Sequence, residues 1–326
     1  MDEEKHRRPK KKIRQLKLCI NHSLVRYMHY HYGKHKIHRI HHVYAYKNEC
    51  FIRPTFHWSE RHIPCWCNMR IMISPAKKMR VDTDTFAWNG LPVFLERTEV
   101  LRDWIKGLSY AEQKKLWACN DKIAQENAAR FADMDLRSNL TPAILAYDGI
   151  QYTSMGPSVF ESSQMDYVQQ HLCILSGFYG VLKPLDGVAP YRLEMQAKAA
   201  VNGHANLYDF WGDALYREIQ DDSRIIVNLA SQEYAKCVEK YITPEDRFIT
   251  CVFGEIESGT VVQKGVYAKM ARGDMVRYLA EIKADAPEQI KGFNISGYHF
   301  DAERSNDTEY VFIRTEIPGK KRHSVL

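Results

Sequence analysis

From residue 69 onward the apolar and polar positions fall into short, readable periods. Residues 69–73 form an apolar run broken only by Arg70, the pattern of a short buried strand, and Ser74-Pro75-Ala76-Lys77 ends it in a turn. Residues 82–93 have no period and read as a loop. Charged and apolar residues then recur at helical spacing over 95–108, from a Ser109/Glu112 capping box through Trp117, and over 122–134. Thr141-Pro142 opens a short helix ending near Tyr147, Asp148-Gly149 turns the chain into a strand over 150–153, and Val168, Leu172 and Leu175 give 163–175 the spacing of a helix. Beyond, 207–219 reads as one helix with Tyr208, Trp211 and Leu215 on a shared face, Trp211 being a core anchor. Residues 224–229 form a second buried strand that passes into a helix bearing Glu233, Tyr234 and Lys236. A hairpin joins 248–253 to 260–263, a helix over 265–279 buries Ala268, Ala271, Met275 and Leu279, and a turn and strand signal at 294–300 and 310–314 completes the pattern. Strands alternating with helices predict an α/β fold.

One stretch breaks these periods. Residues 175–195 pack three glycines, two prolines and two tyrosines into an otherwise apolar run. Gly177 and Gly180 can take positive φ and leave backbone N–H groups uncovered, which is how a chain approaches a phosphate; Lys183 and Arg192 add charge nearby. The same glycines also suit a helix C-cap followed by a proline-stiffened connection.

Charge is unevenly placed. Fifteen basic against five acidic residues put +10 on residues 1–68, leaving −4 on the remainder, with 31 basic against 35 acidic. A polyanion site on the body is therefore expected to be a local cluster, not a consequence of net charge. Residues 1–68 also hold ten of the 14 histidines and lack sustained periodicity. They read as a histidine tract for metal (His29, His31, His35, His38, His41 and His42 with Cys65 and Cys67), as a basic nucleic-acid arm, or as a non-native or disordered extension ahead of a start at Met69, and no function is placed there. Residues 69–315 are expected to form the folded domain and 316–326 a frayed tail. Cys119, Cys173, Cys237 and Cys251 are far apart, as in a cytosolic protein with reduced thiols, and no stretch has the length of a membrane span.

P-loop, dinucleotide, zincin, CxxC and nucleophile-elbow motifs are all missing from the sequence. The body offers no credible metal-ligand set, and no cofactor is expected. What remains are polar residues at strand ends and glycine turns. Lys77 follows the first strand, and Asn228 and Ser231 follow the second, so that all three can face one crevice, as ligand-binding loops do in α/β sheets. Arg192 and Glu194 can form an ion pair, and Lys269 and Arg272 make a compact cationic pair that small neighbours could place beside a groove.

Several of these segments, in one order, resemble the YaaA-like peroxide-stress protein family: Ile73-Ser74-Pro75-Ala76-Lys77, Leu175 through Asp186, Pro190 through Met195, Leu207-Tyr208 with Phe210-Trp211, Asn228 through Tyr234, and Tyr267 through Gly273. The likeness runs from Met69 to Arg314; Lys78-Met79-Arg80 departs from the Thr-Leu-Asp usual there. The resemblance implies a bacterial cytoplasmic protein of the peroxide response linked to lowering free iron. It also implies a single mixed α/β body, with a central sheet flanked by helices and a positively charged cleft. It further implies DNA binding through a helix-hairpin-helix-like element, for which the turn at Ser176 to Gly180 is the counterpart. The resulting expectation is sequence-nonspecific binding of double-stranded or branched DNA. Gly177, Tyr179, Gly180, Lys183, Arg192, Lys236, Lys269 and Arg272 would meet the phosphates. The alternative is an enzyme acting on a nucleotide or other small phosphorylated substrate in the same cleft, using Lys77, Glu194, Asn228 and Ser231.

Overall fold

A computed structural model describes residues 69–315 and, by backbone alone, two short strands upstream. The chain divides into two compact units, Met1–Pro64 and Cys65–Leu326. In the first, Tyr44–Tyr46 pairs antiparallel with Glu49–Phe51; the histidine tract, the Cys65/Cys67 pair and the expected tail at 316–326 lie outside the described residues.

The second unit is built on an eight-stranded mixed sheet. Its strands are β1 (Arg70–Ile73), β5 (Leu172–Ser176), β6 (Gly180–Leu182), β8 (Ile225–Leu229), β9 (Arg247–Glu257), β10 (Thr260–Val262), β11 (Tyr298–Phe300) and β12 (Glu309–Arg314). Short pairs elsewhere join β2 (Lys78–Met79) to β4 (Tyr147–Asp148) and β3 (Thr141–Pro142) to β7 (Gly187–Val188). The helices are α1 (Leu95–Gly107), α2 (Tyr110–Trp117), α3 (Asp121–Ala132), α4 (Ala143–Ala146), α5 (Ile150–Met155), α6 (Ser162–His171), α7 (Leu207–Trp211), α8 (Ala214–Ile219), α9 (Gln232–Glu239) and α10 (Gly265–Ile282).

The order β11-β12-β9-β8-β1-β5-β6 contains a parallel core, β12-β9-β8-β1-β5, edged by antiparallel strands. Its apolar runs explain why: Ile71, Met72 and Ile73 of β1 and Val227 and Leu229 of β8 are wholly inaccessible, as both faces of a parallel sheet must be. From β1 the sheet grows one way to β5 and, from β8, the other way to β9 and β12. The carboxyl ends of β1 and β8 therefore meet at a topological switch point, where open α/β sheets leave a crevice.

Three local expectations are corrected. Residues 150–153 are not a strand but the start of α5, which buries Gln151, Tyr152 and Met155, a helical spacing that becomes visible only when Met155 is counted. The helix expected over 163–175 stops at His171, and Leu172–Ser176 is the buried strand β5. Four apolar residues in a row satisfy a fully buried strand as well as a helix. The helix over 207–219 is two, α7 and α8, broken where Gly212 takes φ +56°. Trp211 is a core anchor as expected, 1% exposed, with its indole N–H donating to Gly177 O at 3.1 Å.

Candidate functional site

At the switch point the two strand ends are stitched by hydroxyls. The Ser231 amide donates to Ser74 Oγ at 2.8 Å, and the Ser74 hydroxyl lies 3.2 Å from Ser231 Oγ. The Tyr152 hydroxyl donates to Ser74 O at 3.0 Å and so ties α5 to the same turn. Asn228, 2% exposed, spends its amide on structure: Oδ1 accepts from the Ala230 amide at 2.9 Å and Nδ2 donates to Thr250 Oγ1 at 3.2 Å. It is the hinge of the turn and does not line the cleft.

The cleft beyond these ends has a volume of about 380 Å³. It brings together Lys77 and Lys78 from the turn after β1, Arg192 and Glu194 from the extended strip after β7, Ser231 and Glu233 from the start of α9, and Lys269 and Arg272 from α10. With Asp148 the lining holds five cations and three carboxylates, so it is net positive although the body is acidic. The ion pairs decide which charges are available. Glu194 bridges Lys77 at 2.7 Å and Arg192 at 3.2 Å, and Lys78 pairs with Asp148 at 2.9 Å. Lys269 and Arg272 make no ion pair among the described residues. Burial pulls the Arg272 guanidinium below its ordinary pKa, and its buried Nε–H has no hydrogen-bond partner among those residues. A desolvated cation in that condition gains most from an anion brought to it.

Two further polar groups complete the wall. Gln151 is 7% exposed and its Nε2 has no partner among the described residues. Burial, reinforced by Glu194, raises the Glu233 carboxyl above its usual range; one of its oxygens accepts from the Gln196 amide at 3.2 Å.

The glycine turn has a different place from the one expected. Residues 176–180 join β5 to β6 as a buried β-hairpin and not as a helix-hairpin-helix element. Ser176 Oγ accepts from the amides of Phe178 at 3.1 Å and Tyr179 at 2.8 Å, so these N–H groups are not offered to a phosphate. Gly180 does take a positive φ, +78°, packed against Phe94, Trp211 and Leu215. Gly177 does not; it is needed because a Cβ there would stand 2.6 Å from Leu193 O. Tyr179, 1% exposed, donates its hydroxyl to Ala189 O. Lys183, leaving β6 at the end away from the turn, and Lys236, exposed on α9, line neither this cleft nor the cavity beside it. Of the eight residues expected to meet DNA, the cleft thus gathers Arg192, Lys269 and Arg272. Of the four in the enzymatic reading it gathers Lys77, Glu194 and Ser231.

The turn instead supports the floor. Tyr191 lines the cleft, its hydroxyl 2.6 Å from Ser176 Oγ and 2.9 Å from that of Tyr147, and burial pushes it up to about 12. Sequence reasoning missed Gln151, Glu233, Lys78 and Asp148. The first sat in a segment read as a strand, the second in a helix from which only Lys236 was taken as a site residue, and the last two become neighbours only through the β2–β4 pairing.

A second cavity of about 660 Å³ adjoins the cleft, lined by Trp104 of α1, by Lys115 and Trp117 of α2, and by residues 196–198. Arg192 and Glu194 line both spaces. Among the described residues there is no group of three His, Cys, Asp or Glu side chains placed to hold a metal ion, and no helix long and apolar enough to cross a membrane.

Comparison with known proteins covers this unit. Residues 69–304 match the family described as peroxide stress protein YaaA. Over 246 residues the chain is 56% identical to a UPF0246 protein of Agathobacter rectalis, which takes in 76% of this chain and 99% of that protein. It is 50% identical over 254 residues to a UPF0246 protein of Lachnoclostridium phytofermentans, taking in 78% of this chain and all of that one. A mixed sheet with its polar residues gathered at the switch point, and a match spanning the whole of that sheet but the last strand, lead to one statement: the chain belongs to the peroxide stress protein YaaA family.

Proposed function

We propose that this protein serves the cytoplasmic response to peroxide by binding DNA through its phosphates, without reading sequence, and so helps to limit iron-dependent damage. The observation that carries the reading is the cationic couple Lys269 and Arg272, without an ion pair among the described residues and set beside Lys77 and Arg192 in one concavity. Phosphate contacts position a protein on nucleic acid and carry no base information, which suits a cleft whose charged groups are side chains on rigid elements. The test is binding of duplex and branched DNA as a function of salt by the whole chain and by Lys269→Ala and Arg272→Ala. Because residues 1–68 themselves carry +10, the difference between variants is the measurement. Each lost phosphate contact lowers the slope of log K against log salt by about 0.9 on duplex. Unchanged slopes and affinities in both variants would remove DNA from this cleft.

A second reading is favoured by the cleft's size. About 380 Å³ lies within the range of small-molecule sites, and Glu194 and Glu233 could orient or deprotonate a nucleotide or other small phosphorylated substrate held by Lys269 and Arg272. A nucleoside monophosphate that binds at micromolar concentration, and that DNA does not displace, would favour it.

A further inference from the structure

The cavity beside the cleft shares Arg192 and Glu194 with it but holds neither Lys269 nor Arg272, and the chemistry of its other walls differs. Its walls combine a partly exposed indole, Trp104, with apolar surface from Leu108 and Leu116 and with two exposed lysines, Lys115 and Lys198. Trp117 forms another wall; it is 2% exposed and its indole N–H has no acceptor among the described residues. Arg192 stands between the two spaces, its Nε 3.5 Å from Trp117 O and its Nη2 on Glu194. A ligand that fills both spaces is therefore matched by an anionic group at Lys269 and Arg272 on one side and an acceptor-bearing flat ring at Trp104 and Trp117 on the other, crossing Arg192, whose charge Glu194 already pairs. An unpaired stretch of nucleic acid has that sequence of groups. The bases of a closed duplex do not, because their faces are already stacked.

We infer that the second cavity is a stacking subsite for an unpaired base, with Trp104 as its platform, so that the preferred ligand is a single strand lying across Arg192 from the cleft. This rests on the phosphate-binding reading of the cleft and names the form of nucleic acid it takes. Stacking on an aromatic face tolerates any base, in keeping with binding that ignores sequence. The two lysines at the rim would track the backbone as it leaves.

The experiment measures anisotropy of a labelled thymidine oligomer of about 12 nucleotides, within the site sizes single-strand binders use, against a blunt duplex of equal length. It uses the whole chain and its Trp104→Ala, Trp104→Phe, Lys198→Ala and Lys269→Ala variants. The single strand should bind about tenfold or more tightly than the duplex, and Trp104→Ala should lose about tenfold on the strand with its salt slope unchanged. Trp104→Phe, which keeps a ring, should restore most of that loss. Lys198→Ala, exposed and outside the core, should lower the strand's slope by about 0.7 and leave duplex binding as it was, which keeps the test alive if Trp104→Ala fails to fold. Equal affinity for strand and duplex, with Trp104→Ala and Lys198→Ala both silent, would overturn the stacking subsite while a Lys269→Ala effect left the cleft standing. Binding indifferent to all four variants would overturn both.

Discussion

At the scale of single residues, burial decides what each polar group is for. Asp186, 8% exposed, accepts from the Lys183 amide at 2.8 Å, yet burial raises its carboxyl from 3.8 to about 6. Between those values the folded protein holds a proton that the unfolded chain has lost, so this group's contribution to stability is present at low pH and falls as pH rises through about 6. Its ionisation costs the fold on the order of 3 kcal/mol in neutral solution. Asp186→Asn keeps an acceptor without the charge. In urea titrations it should be more stable than the parent by about that amount near pH 7.5 and nearly equal to it near pH 4. The same logic separates Asn228 from Arg272. Both were legible in the sequence as polar candidates, one at a strand end and one on a helix, but Asn228 bonds through both its amide oxygen and its amide nitrogen, whereas the buried Arg272 Nε–H has no partner among the described residues. Composition and spacing do not carry that distinction, because it depends on partners more than 20 residues away.

At the scale of elements, the crossing of α10 and α5 sets the cleft's width. A Cβ on Gly273 would lie 2.1 Å from Gln151 O and 2.9 Å from Met155 N, so the two helices touch backbone to backbone. Gly273→Ala must push them apart, and overpacking of this kind costs about 1–3 kcal/mol or more. Denaturant unfolding should register the loss, and DNA affinity should fall with it, since Lys269 and Arg272 move away from Gln151. The close approach of 265–279 to some neighbour was readable from its alanines and glycine. The identity of the neighbour was not, since the segment after Gly149 shows an alternating pattern until Met155 is included. β1, β8 and the β9–β10 hairpin were legible because each has one period and a clear stop. β5 was hidden by an apolar run that fits two periods, and the 176–180 turn by glycines whose purpose, phosphate approach or backbone packing, looks the same in sequence.

At the scale of the whole molecule, the relatives match about three-quarters of the chain, which spans the UPF0246 proteins of A. rectalis and L. phytofermentans over 99% and 100% of their length. A chain that starts at Met69 should therefore unfold in one cooperative transition with a Tm within about 3 °C of the parent, as followed by calorimetry. A molten or aggregated product would refute this. The cations that line the crevice at the switch point come from the turn after β1, the strip after β7 and α10.

Leu193 O rests on Gly177 with no space for a methyl group, and the strip from Arg192 to Glu194 is laid along that contact like a shelf on a bracket. Both chambers are hung from the shelf's two edges. An inherited change of Gly177 would thus disable the protein by tilting a partition, leaving every charge intact and every one of them slightly misaimed.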